Sequence, residues 1–184
     1  MGMAAERNPA AVLAMFDDGH EIFSHGYRWI DYQAVEEATE RDHLARAIAV
    51  HTEVTGSRPT GWYLGRCSPN SHRLIAEEGG FRYNADSYAD DLPYWDYTQN
   101  YPQLMVPYTL DANDMRFATA QGFNSGQQFF DYLKDTFDVL YAEGSKMMSI
   151  GLHCRLAGRP GRTAALARFV DYVAGHDDVW VARR

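Results

Sequence analysis

Two of the chain's 7 histidines follow short apolar runs, His25 closing the run HEIFSH and His153 coming after Met147–Leu152. Imidazole is the side chain whose ordinary pKa lets it give and take protons near neutrality, so a histidine at a strand end is a candidate general acid or base. Other polar residues fall at comparable places: Arg66 and Ser68 follow Gly61–Leu64, and Asp86 and Ser87 follow Phe81–Ala85. In α/β folds the site normally lies at the C-terminal ends of the strands, so these residues, distant in sequence, are candidates for one pocket. Arg66 either binds carbonyl groups of a substrate or pairs with Asp86 to brace strand ends, because a guanidinium suits both tasks. A lone histidine more often serves structure than chemistry. His20, His43, His51, His72 and His176 are read in that way, as surface or hydrogen-bonded interior residues.

The elements that must hold these groups show in the pattern of apolar residues and breakers. Asn8 and Pro9 open a first helix that runs through Phe16 to a stop at Gly19, leaving Asp17 and Asp18 at its solvated end. His20–His25 is expected to be a strand, and Tyr32–Thr55 a long helix stopped by Gly56. Then come a strand at Gly61–Leu64, a helix at Ser68–Glu78 and a strand at Phe81–Ala85. Leu104–Thr109 is a weaker strand because it contains Pro107. Phe123–Ala142 has apolar residues at helical spacing, Lys146–His153 is the next strand, Thr163–Ala174 the last helix and Val179–Ala182 the last strand. Such alternation predicts an α/β fold with largely parallel strands, since parallel neighbours need helical crossovers. The aromatic-rich stretch Tyr83–Tyr101 is a substrate-covering loop, a homo-oligomer contact or ordinary core.

At 184 residues the chain has room for one domain with a sizeable core, and no linker divides it. Apolar residues make up 46%, which excludes disorder, and the net charge of −8 argues against a nucleic-acid partner. No apolar run is long enough to span a bilayer, and no signal-peptide pattern opens the chain. Cys67 and Cys154 form no CxxC pair, so a reduced cytoplasmic setting is the simplest expectation.

Gly19-His20-Glu21-Ile22-Phe23-Ser24-His25 resembles the GHEIxSH signature of the polysaccharide deacetylase (NodB-homology) family. Gly26–Tyr32, Trp62–Asn70, Tyr83–Ser87 and Gly151–Cys154 are similar to later motifs of its cofactor-independent allantoinase branch, in the same order and over nearly the whole chain. The resemblance implies a distorted (β/α) barrel. Deacetylase members of the family use a metal held by one aspartate and two histidines, the second four positions after the first. Here the first is His25 and the matching position is Trp29, whose indole offers only an N–H donor. The resemblance therefore implies a metal-free amidohydrolase with no cofactor, opening a small cyclic ureide, allantoin to allantoate.

That chemistry needs an activated water, donors for the developing oxyanion and a proton for the leaving nitrogen. By the resemblance, His153 is expected as acid and His25 as base or orienting group. Arg66, Ser68, Asp86 and Trp29 are the expected substrate-binding residues, with Trp29 plugging the metal position or walling the pocket. A polysaccharide N-deacetylase is the alternative enzyme; a catalytically incompetent fragment or binding scaffold is the alternative from another class. The family's early aspartate motif, resembling TFDD, has no counterpart before Asn8, and a barrel of this kind takes about 250 residues. The expectation is accordingly an incomplete barrel, lacking its first strand and exposing strand edges.

Overall fold

The computed structural model describes residues 1–183, which form two compact units. The first comprises Met1–Ser87 and Pro93–Val106 with Arg183; the second comprises Tyr88–Leu92 and Pro107–Ala182.

The first unit holds α1 (Gly2–Arg7), α2 (Pro9–Asp17), α3 (Glu37–Thr55), β1 (Gly61–Trp62), α4 (Ser71–Glu78), β2 (Tyr83–Asn84), β3 (Tyr94–Asp96) and β4 (Gln103–Met105). The strands make one sheet in the order β1-β2-β4-β3. β1, β2 and β4 run parallel, while β3 lies antiparallel on β4, so the sheet is mixed where a largely parallel one was expected. The cause is local: β3 and β4 are joined by a short connection, which allows only an antiparallel return. α3 places Leu44, Ala47 and Val50 against Trp62 and Leu64 and against Leu74 and Ile75 of α4, forming the buried core. Both helices stop as the breakers predict. Gly56 takes a left-handed φ of 75°, and its N–H reaches the Thr52 carbonyl at 2.9 Å.

The second unit holds a 3-10 helix (Asp114–Ala118), α5 (Gly126–Glu143), α6 (Cys154–Ala157) and α7 (Pro160–Ala174). Phe129, Leu133 and Phe137 of α5 meet Phe169 of α7 in a mostly aromatic core with Phe123. A side chain at Gly126 would put its Cβ 2.5 Å from the Gly161 carbonyl oxygen, so the start of α5 approaches α7 this closely only with glycine.

Several expected elements are corrected. His20–His25 is no regular strand: Ser24 alone pairs with the β1 region, its N–H to Gly61 and its carbonyl from Tyr63, both at 2.9 Å. The Ile22 carbonyl is taken instead by the His51 ring. Lys146–His153 is likewise reduced to one bridge, Asn113 with Gly151. Val179–Ala182 forms no strand, and Trp180 and Val181 are exposed. β4 ends before Pro107, which has no N–H for the ladder. α3 starts at Glu37 rather than Tyr32, because Tyr32 donates its N–H to the Arg66 carbonyl and Asp31 caps Gln33 in a turn. α1 was not expected, and Asn8 gives α2 no side-chain cap, although Pro9 opens it. No described helix is long and apolar enough to cross a membrane.

Candidate functional site

In the first unit, the residues around the C-terminal end of β1 come together. Ser24 is stitched to Gly61 and Tyr63, so the next residue, His25, emerges beside the strand, its ring 4.9 Å from that of Tyr63. Gly26 follows with a φ of +64°, and a Cβ there would come within 2.7 Å of the Leu64 side chain. The loop then carries Trp29, which is 48% exposed, and the Arg66 guanidinium lies over its ring at 4.4 Å. Stacking on indole is a favourable place for a guanidinium.

Asp86, just after β2, does not pair with Arg66. Its carboxylate accepts the N–H of Leu64 at 2.9 Å from each oxygen and that of Gly65 at 2.7 Å. Burial pushes its carboxyl above the usual range, opposed by the Gly65 and Leu64 N–H groups and the Cys67 thiol. Burial, and then Asp86, push the Cys67 thiol upward, so it is no nucleophile at neutral pH. Ser68 points elsewhere. It is buried and donates to Glu40 Oε2 at 2.5 Å, while Ser71 donates to the other Glu40 oxygen. Glu40 escaped notice in the sequence because its helix reads as a charged surface; its two buried hydroxyl partners are what allow the carboxylate inside.

His153 belongs to the second unit, directly before α6. Its Nδ1 lies 2.7 Å from Oδ1 of Asp114, a residue with no exposure, while the imidazole is 29% exposed. The other oxygen of Asp114 accepts the N–H groups of His153 at 2.7 Å and Ala157 at 2.9 Å. A carboxylate can only accept, so Nδ1 carries the proton in this pair and Nε2 is left as the atom that exchanges one. Asp114 was missed by sequence reasoning because nothing in ANDMRF distinguishes it from the other acids. The Asn113 side chain, which accepts the Met115 N–H at 2.9 Å, starts the 3-10 helix that holds it. The remaining histidines behave as read from the sequence where the structure defines their partners: His43 is buried against the Tyr32 hydroxyl at 2.9 Å, and His51 ties Ile22 to Ser57.

A metal of the kind used by family deacetylases does not fit these residues. Trp29 offers at most an N–H at the second histidine position and lies beneath a cation.

The first unit is an α/β framework with a mixed sheet, and in the second a buried aspartate orients a partly exposed histidine. Residues 1–83 match the family model described as polysaccharide deacetylase. It is 41% identical over its whole length to a putative polysaccharide deacetylase of Schizosaccharomyces pombe. Its fold is that of a probable polysaccharide deacetylase from Pseudomonas aeruginosa PAO1, at 63% identity with a TM-score of 0.97, and of Puue allantoinase, at 60% identity with a TM-score of 0.98. Both likenesses cover 100% of this chain, and these neighbours have the (β/α) barrel fold. The chain spans 64% of the yeast relative's length and 63% of each solved chain.

Proposed function

We propose that the chain serves a metal-independent amidohydrolase of the allantoinase type, which opens a cyclic ureide by adding water across a ring amide bond. The observation that carries the reading is the Asp114–His153 pair. With Nδ1–H held by the buried carboxylate, the imidazole keeps one orientation; from the doubly protonated ring Nε2–H gives its proton to the nitrogen that leaves as the C–N bond breaks, which returns the ring to the neutral Nδ1–H tautomer. His25 keeps the role that the family resemblance gives it, taking the water's proton or orienting the ureide. Arg66 presents planar N–H donors suited to the substrate's carbonyl oxygens. The 60% identity to Puue allantoinase, together with tryptophan at position 29, favours this reading over a zinc deacetylase.

The name of the yeast relative favours a second reading, hydrolysis of an N-acetyl group on a sugar, which the same proton transfer would serve. The experiment that separates them offers allantoin and an N-acetylated oligosaccharide to the protein, with and without chelator. Conversion of allantoin alone, undiminished by chelation, is the expected result. Acetate release that stops on chelation and returns with zinc would establish the deacetylase.

A further inference from the structure

We propose that Asp86 is a positioning residue: its carboxylate sets the turn Leu64–Cys67 and thereby holds Arg66 in its stacked pose on Trp29. The proposal rests on the ureide reading only for what Arg66 then recognises. Asp86 is itself fixed, its N–H donating to Asn84 Oδ1 at 2.9 Å and the preceding Ala85 N–H donating to the Trp62 carbonyl at 2.7 Å. From this anchored place both oxygens face the Leu64 N–H, and Oδ1 also takes that of Gly65. Gly65 has a φ of +83°, and a Cβ there would stand 2.9 Å from the Tyr63 hydroxyl, so the chain turns sharply just before Arg66. On the far side, the Arg66 carbonyl accepts the Tyr32 N–H at 3.1 Å. The backbone of Arg66 is thus gripped from both directions, and its side chain has one broad support, the Trp29 ring.

The same geometry separates Asp86 from direct recognition. An ionised carboxylate has about four acceptor sites, and the turn's two N–H groups with the Cys67 thiol engage most of them. Satisfied in this way, Asp86 does not draw the neighbouring guanidinium off the indole. Asp86 fixes where the cation stands, and Arg66 with Trp29 offers the flat face that a planar, carbonyl-rich ring would meet.

The test uses the whole chain with fluorotryptophan incorporated, the Trp29 resonance assigned by Trp29→Phe, in wild type, Asp86→Ala, Asp86→Asn and Arg66→Ala. Asp86→Ala is expected to speed hydrogen exchange at the Leu64 and Gly65 amides about tenfold, as loss of a buried acceptor should. It should also move the Trp29 resonance toward its position in Arg66→Ala, and raise KM for allantoin more than it lowers kcat. Asp86→Asn keeps one carbonyl oxygen for both N–H groups and should restore the resonance, which a general loss of folding would not allow. Wild-type exchange and an unmoved Trp29 resonance in Asp86→Ala would overturn the proposal. A moved resonance together with a wild-type KM in Arg66→Ala would instead leave the positioning role standing and remove Arg66 from ureide recognition.

Discussion

Asp114 spends both carboxylate oxygens on the segment from His153 to Ala157, one accepting two backbone N–H groups and the other facing the imidazole. Replacing it by Asn keeps the volume but allows an amide N–H to face Nδ1, which favours the opposite tautomer. Asp114→Asn is therefore expected to lower kcat for allantoin by about a hundredfold or more, the range lost with general acid–base catalysis, while leaving KM nearly unchanged. Steady-state kinetics on a variant of wild-type melting temperature checks it. Arg66→Lys tests a different property. Lysine keeps the charge and loses the flat fork, so KM should rise with a smaller change in kcat, read from the same assay. His153 was legible in the sequence as an imidazole at the end of an apolar run, and Arg66 as a cation after β1. Their partners were not. Asp114 and the backbone N–H groups that bind Asp86 come from segments with no periodic signature, and only the folded chain brings them into reach.

Helices were more legible than strands, and the reason lies in length. α3 and α5 run for 19 and 18 residues, long enough for a buried stripe to repeat, and glycines mark their ends. β1 and β2 are two residues each, too short for alternation to show. HEIFSH and Lys146–His153 looked like strands by composition, yet only Ser24 and Gly151 form bridges. Within α3, His43 provides a test of the packing. Burial, then the Arg28 charge, lower its pKa from 6.5, with Arg46 adding to the effect and Asp42 and Glu40 opposing it. The folded state thus favours the neutral imidazole, whose stabilising share is present above pH 6.5 and is lost as pH falls through the lowered folded value. Denaturant unfolding followed against pH should show a limb of falling stability below that point, and His43→Gln should flatten it. At α5, the Ser125 hydroxyl accepts the Gln128 N–H at 3.2 Å. Ser125→Ala should cost about 1 kcal/mol in the same measurement, the usual loss for a helix N-cap.

For the whole molecule, the likeness to polysaccharide deacetylases and the α/β class were legible because GHEIFSH and the later motifs follow one another in order along the chain, and the family model matches residues 1–83. The antiparallel β3 was not, because a strand's direction follows from the length of its connection rather than from its residues. The central claim is ureide hydrolysis that uses the Asp114–His153 pair and no metal. Its most direct measurement is the rate of allantoin conversion in the presence of a strong chelator. The protein is compared with its His153→Ala variant. The account predicts conversion that is unaffected by the chelator and reduced by about a hundredfold or more in His153→Ala. No conversion, or conversion that stops on chelation and returns with added zinc, would contradict it.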